Sequence, residues 1–215
     1  MNSGTLRQSV AGPAGVIECA VDVPAGSALP VRGTVVVCHP HPQHGGTMDN
    51  KVVQTLARAF VQLGWRSVRF NFRGVGASAG AWDEGIGEID DALAVVAAFR
   101  SPPGVSAPPL MLAGFAFGGY VAAVAAARLP EADKPQRLVL VGPSTQKQQV
   151  PPVPANTLVI HGETDDVVPL VATLDWARPQ SLPVLVFPGV GHFFHGQLGL
   201  LKNAVVQELM PRQAV

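Results

Sequence analysis

Leu110-Met111-Leu112-Ala113-Gly114-Phe115-Ala116-Phe117-Gly118-Gly119-Tyr120 decides how this 215-residue chain is read. An apolar run stops at a glycine, and a glycine-rich turn passes at once into the helical run Val121 to Leu129. That is the layout of a nucleophile elbow, G-x-S-x-G, in which a sharp strand-to-helix turn holds one side chain up above a sheet. So sharp a turn crowds its own backbone. A Cβ at Gly114 or at Gly118, two places either side of the centre, would collide with neighbouring elements. The centre here is Ala116, not serine, so the atom that would attack a substrate is absent.

The stretches on either side set the architecture. Upstream, Val16 to Val23 alternates in part and reads as a strand closed by Pro24, after a loose, polar start over residues 1–15. Gly33 to Cys38 contains Val35-Val36-Val37, which suits a strand buried on both faces. It empties into His39-Pro40-His41-Pro42-Gln43-His44-Gly45-Gly46, which cannot be regular. Asp49 or Asn50 can cap a helix striped with Val52, Val53, Leu56, Phe60 and Leu63 and ended by Gly64. A strand at Arg66–Phe72, a helix near Glu88–Arg100 and a proline-rich loop over 101–109 lead to the elbow.

Downstream, strands are expected at Arg137–Gly142, Thr157–His161 and Val184–Phe187, with helices ending near Ala177 and covering Leu198 to Leu209. Strands alternating with helices from residue 33 onward demand a mostly parallel sheet with helices on both faces. No repeat, linker or boundary divides the chain, so a single α/β domain over 1–215 is expected.

In such a sheet the loops at the carboxyl ends of the strands form the site. Three of them carry what an acyl-transfer centre requires, in the order nucleophile, acid, histidine, which is the order of α/β-hydrolases. Ala116 stands at the first. Asp165 follows Gly162 after a strand, with Asp166 beside it able to take the same role, and His192 lies in a glycine-rich turn, with His195 competing. A serine hydroxyl attacks only when an imidazole takes its proton, and the imidazole needs a carboxylate to fix its tautomer. The developing oxyanion needs backbone donors. Phe117 N–H is one, and the loop after Cys38 supplies the other. Pro40 and Pro42 have no N–H, so His41 is the first choice there and Gln43 the second.

The bulk properties exclude other classes. The chain is 47% hydrophobic and 14% charged, with 15 basic and 15 acidic residues, so nothing favours nucleic acid or an anionic membrane surface. Cys19 and Cys38 sit in apolar runs and read as buried thiols, not a disulfide. No leader pattern and no long apolar run stands in the sequence, which makes a cytoplasmic protein without a membrane partner the expectation.

Two motifs are decoys. His39-x-His41-x-x-His44 resembles the zinc-binding run of metallo-β-lactamase-like hydrolases, and a zinc hydrolase using these three histidines is the outlying alternative. Gln43 stands where that run has an aspartate, and the downstream alternation is not an αββα layout, so no metal is expected. Gly74-x-Gly76-x-x-x-Gly80 misses the dinucleotide spacing by one residue and reads as a glycine-rich loop.

Cys38-His39-Pro40-His41-Pro42, Gly45-Gly46-Thr47-Met48-Asp49-Asn50-Lys51, Phe70-Asn71-Phe72-Arg73-Gly74-Val75-Gly76, Gly114-Phe115-Ala116-Phe117-Gly118 and Gly191-His192-Phe193-Phe194 together resemble one bacterial family. It is the small, lidless α/β-hydrolases related to dienelactone hydrolases and predicted serine esterases, and the likeness runs from about residue 16 to residue 205. The resemblance implies an α/β-hydrolase fold with no cap domain, a serine at position 116, an acid at Asp165, a base at His192 and an oxyanion donor between His39 and Gln43. It implies no cofactor. Where many α/β-hydrolases insert a cap, this chain has Pro143 to Asn156, too short and too proline-rich for one. An open, shallow site follows, walled by Phe115, Phe117, Phe193 or Phe194 and Trp82, and suited to small esters with short acyl chains. Oligomeric state is left open, a homodimer included.

Ala116 then has two readings. Either a serine hydrolase of carboxylic esters has lost its nucleophile, by design or recently, or the chain is a natural pseudoenzyme that binds an ester-like or peptide ligand. The acid, the histidine and the oxyanion loop all remain. A lineage long freed from catalysis has no reason to keep them together, and that favours the first.

Overall fold

The computed structural model describes residues 4–26, 31–100 and 108–210. In chain order its elements are β1 (Leu6–Gly12), β2 (Gly15–Asp22), β3 (Thr34–Cys38), α1 (Lys51–Gln62), β4 (Arg66–Phe70) and α2 (Ile86–Ala98). Then come β5 (Leu110–Phe115), α3 (Phe117–Arg128), β6 (Arg137–Val141), β7 (Leu158–Gly162), α4 (Leu170–Ala177), β8 (Val184–Phe187) and α5 (Leu198–Leu209). The eight strands form one sheet in the order β1-β2-β4-β3-β5-β6-β7-β8. From β4 to β8 every pairing is parallel, and the β1–β2 hairpin joins antiparallel at the β4 edge. This is the α/β-hydrolase architecture, with no cap domain between β6 and β7.

The unbroken apolar runs are explained by burial on two faces. Val35 and Val37 of β3 pack with Met111, Ala113 and Phe115 of β5 under α1 and α5. Val36 and Cys38 point the other way, with Leu110 and Leu112, under α2 and α3. Alternate side chains of a strand leave on opposite faces, so a central strand covered twice has no polar position to spare. The α1 stripe faces this core as the periodicity requires, and Asn50 caps the helix by accepting Val52 N–H at 2.9 Å. Both cysteines are free and buried. Burial, with Glu18 adding its charge, pushes the Cys19 thiol up to about 12, and burial drives Cys38 up as well, so neither supplies a thiolate near neutrality.

The start of the chain departs from expectation. Within the segment read as loose, Leu6–Gly12 is a strand, paired from Leu6↔Val21 to Gly12↔Gly15 through a two-residue Pro13-Ala14 connection. Its side chains are half-buried or exposed, so it carries no apolar pattern, and backbone pairing rather than burial holds it. Residues 1–3, and the part of the proline-rich loop over 101–107, lie outside the described residues. Smaller shifts occur at element ends: β4 stops at Phe70 and α2 starts at Ile86. Among the described residues no helix is long and apolar enough to cross a membrane.

The parallel strands deliver their carboxyl ends to one edge. β4 and β5 leave β3 in opposite directions, so the loops after β3 and β5 flank a crevice at the switch point. The approach there is close. A Cβ on Gly114 would lie 2.0 Å from Gly118 O, and one on Gly118 would lie 2.3 Å from Cys38 O, both backbone atoms that cannot step aside. Gly114→Ala is therefore expected to lower stability by roughly 3 kcal/mol through overpacking, read as a fall of several degrees in Tm; an unchanged Tm would contradict the tight crossing.

Candidate active site

β5 ends at Phe115, and the chain reverses through Ala116 at φ 52°, ψ −117° before α3 begins. Residues with a Cβ seldom hold such a backbone unless their surroundings fix it. Here three hydrogen bonds do so: Ala116 N–H donates to Val141 O at 2.9 Å, and Ala116 O accepts from Gly119 N–H at 2.9 Å and from Ser144 N–H at 3.2 Å. The first ties the turn to the end of the neighbouring strand, β6.

The acid and the imidazole meet above that same strand end. His192 Nδ1 lies 2.7 Å from Asp165 Oδ2, with both side chains almost fully buried. A Cβ on Gly142, the residue after β6, would stand 3.4 Å from Asp165 Oδ2 and from the His192 ring. The pair therefore sits directly over the end of β6, beside the elbow. Asp165 Oδ1 accepts Val167 N–H at 2.9 Å and Val168 N–H at 2.7 Å. Burial alone would raise this carboxyl. The hydrogen bond from His192 and those from the Val168 and Val167 amides outweigh it and hold the group below the usual carboxylate range. A carboxylate on Oδ2 requires the hydrogen on Nδ1, which leaves His192 Nε2 as the basic atom. The competing residues take no part in that bond: Asp166 and His195 are exposed and line, together with His192 and Phe193, an open cavity of about 480 Å³.

The backbone N–H groups of His41 and Phe117, the first choices as donors, have no acceptor among the described residues. Phe117 opens α3, where helix N–H groups are unpaired in any case. Gln43, the second choice as a donor, is spent: its N–H donates to the side-chain Nδ1 of His41 at 3.2 Å. Pro42 opens a short 3₁₀ turn over Pro42–His44, which the His41 side chain caps by accepting Gln43 N–H.

Aromatic rings wall the place on both sides. His41 packs against His44, Trp82 and Phe117 with centroids 4.4, 4.5 and 5.1 Å away. Across from them, Phe193 lies 4.9 Å from the His192 ring, while Phe115, 4.8 Å from that ring and expected as a wall, is fully buried and, like Phe117, offers a ligand almost no surface. Phe193 is 41% exposed and available to a ligand. Phe194 is not: it turns inward at φ 52°, is fully buried and packs on Phe187. The sequence left the two open because adjacent phenylalanines in a turn carry no period. Half-buried Tyr120, 5.9 Å from Phe117, extends the first wall and was not singled out.

The zinc alternative fails on its first ligand. His39 is fully buried, with Nδ1 2.6 Å from Pro40 O and Nε2 accepting Phe72 N–H at 3.1 Å. Both ring nitrogens are committed to backbone, and the ring pins the β3 exit loop to the β4 exit loop. Among the described residues no group of three metal-ligating side chains forms.

The family model for serine aminopeptidase, S33, matches residues 30–161. An α/β serine hydrolase without a lid from Xanthomonas campestris is 38% identical over 100% of this chain and 99% of its own, with a TM-score of 0.87. An α/β serine hydrolase homologue from Coxiella burnetii is 37% identical, covering 97% and 98%, with a TM-score of 0.80. An uncharacterized protein of Rickettsia prowazekii (strain Madrid E) is 28% identical over 94% of this chain and 88% of its own.

The His39 environment has a consequence for stability. Burial pushes its imidazole down to about 4 from 6.5, against the hydrogen bond to Pro40 O. Between those values the unfolded chain binds a proton that the folded chain refuses, so stability is full above pH 6.5 and is lost as pH falls toward 4. The loss should reach on the order of 2–3 kcal/mol. Calorimetric melts across that window are expected to show Tm dropping, with a shallower drop in His39→Gln; a flat Tm would contradict the neutral, doubly bonded ring.

Proposed function

The chain belongs to the serine aminopeptidase S33 family as a small lidless α/β-hydrolase, and from that membership we propose that its site is that of a serine-type carboxylic ester hydrolase standing without its nucleophile. The observation that carries this reading is the Asp165–His192 pair, 2.7 Å apart and seated over Gly142 beside the elbow. With a serine at 116, His192 Nε2 takes the hydroxyl proton as Oγ bonds to the ester carbonyl carbon. The carbonyl electrons move onto oxygen, which the His41 and Phe117 amides receive. Collapse breaks the bond to the alcohol, and His192 returns the proton to that leaving oxygen. Water, deprotonated by His192, then attacks the acyl-serine and frees the acid. Throughout, Asp165 balances the imidazolium and fixes its tautomer.

Esters with short acyl groups, or an ester displayed on a larger molecule, suit a site that has aromatic walls and no cap, because such a surface encloses little. With the methyl of Ala116 in the hydroxyl's place no acyl-enzyme forms. What remains is the roughly 10³–10⁴-fold advantage over water that binding and oxyanion donors provide.

Ala116→Ser is expected to hydrolyse p-nitrophenyl acetate or butyrate at least about 10³-fold faster than the parent, and His192→Ala in that background to abolish the gain. A folded Ala116→Ser chain no faster than the parent on any short ester would defeat the enzyme reading and leave that of a ligand-binding pseudoenzyme.

A further inference from the structure

We infer that His161 is a positioning residue: it staples the loop that carries Asp165 to the end of β7, and so fixes the direction in which that carboxylate meets His192. The inference rests on the role proposed above for the pair. His161, a strand residue four places before Asp165, is fully buried. Its Nε2 lies 2.8 Å from Val168 O, and a carbonyl only accepts, so Nε2 carries the ring's hydrogen. The same Nε2 stands 3.4 Å from Asp165 Oδ2, the atom that receives His192. Val168 is the middle link. Its carbonyl is held by His161, and its N–H, thereby aimed, donates to Asp165 Oδ1 at 2.7 Å. One residue thus reaches both oxygens of the carboxylate, one through the backbone and one by direct approach.

Packing does not account for an imidazole here. Its Nδ1 is buried with no partner among the described residues, a desolvation cost that an apolar ring would avoid. The ring is useful for its Nε2–H. Charge supports the same assignment. Burial holds His161 below its ordinary value despite Val168 O and Asp165, and His192, the other titratable group against it, pushes in the same direction. A neutral ring donates to the loop without claiming the acid's charge, which stays directed at His192.

The test uses the chain as it is, because the readout needs no turnover. His161→Gln places an N–H near the old Nε2, His161→Asn is too short to reach Val168 O, and His161→Phe keeps the volume without the donor. With folding checked by circular dichroism, the low-field proton resonance of His192 Nδ1–H should persist in the parent and the Gln variant and vanish or broaden in the Asn and Phe variants. In the Ala116→Ser background the Phe variant should lose about tenfold in kcat with KM unchanged, and the Gln variant should recover most of it. A folded Asn or Phe variant that keeps the parent resonance overturns the inference, as does a folded Gln variant that loses it. Failure of Ala116→Ser on esters would count against the hydrolase reading alone, since the resonance reports the His192–Asp165 geometry without catalysis.

Discussion

The backbone at Ala116 is the constraint on which the rest of the site depends. A residue with a Cβ at φ 52°, ψ −117° costs on the order of 1–3 kcal/mol, and that cost is met by what surrounds it. Val141 O and Ser144 N–H grip the turn from the β6 side, and Gly119 N–H grips it from α3. The missing side chains of Gly114 and Gly118 let helix and strand close to the distances these bonds require. The same grip decides which atoms face the crevice. It leaves the first amide of α3 without an acceptor among the described residues and puts position 116 beside Gly142, over which the carboxylate and the imidazole lie.

The opposite wall is held by polar chemistry rather than by packing. Arg69 is almost fully buried, pairs with Asp22 at 3.1 Å and donates to Met48 O at 2.9 Å. Asn71 accepts Met48 N–H through Oδ1 at 2.9 Å and donates from Nδ2 to Glu18 at 2.7 Å. Arg7, on the outermost strand, bonds to Asp49. The contacts to Met48 and Asp49 tie the segment after His41 to β1, to β4 and to the residue just past β4, and those to Asp22 and Glu18 anchor the same Arg69 and Asn71 on β2. A buried ion pair adds little to stability against an apolar alternative, but it fixes one arrangement over its neighbours when every donor is used. The hairpin that looks like an appendage is therefore a brace for the segment that follows His41.

What was legible in the sequence followed from local rules. Runs such as Val35-Val36-Val37 announce burial on two faces, and the glycines at 114 and 118 announce a close crossing whatever residue stands between them. Strand-end position alone brought Asp165 and His192 into consideration, because a parallel sheet sends its carboxyl ends to one edge. What escaped depends on pairing or direction. β1 has no apolar period, since an edge strand is held by its partner's backbone. Gln43 and His41 differ in usefulness only through a side-chain bond made inside the loop itself. His161 looked like one more strand residue. Its spacing to Asp165 was visible, but which way a side chain leaves β7 was not.

The alanine can be weighed by what its neighbourhood retains. A left-handed turn is cheaper with glycine, and a turn with no chemistry to perform gains nothing from a Cβ. A carboxylate and an imidazole held together out of solvent are likewise costly unless each satisfies the other, and the desolvation is not fully returned by their bond. Both expenses stand intact around a methyl group that uses neither. An arrangement long selected for binding alone would be free to relax at any of these points, through glycine at 116 or an apolar residue at 161 or 165. None of these relaxations is present, which supports the proposal of a hydrolytic centre without its hydroxyl over that of a binding protein.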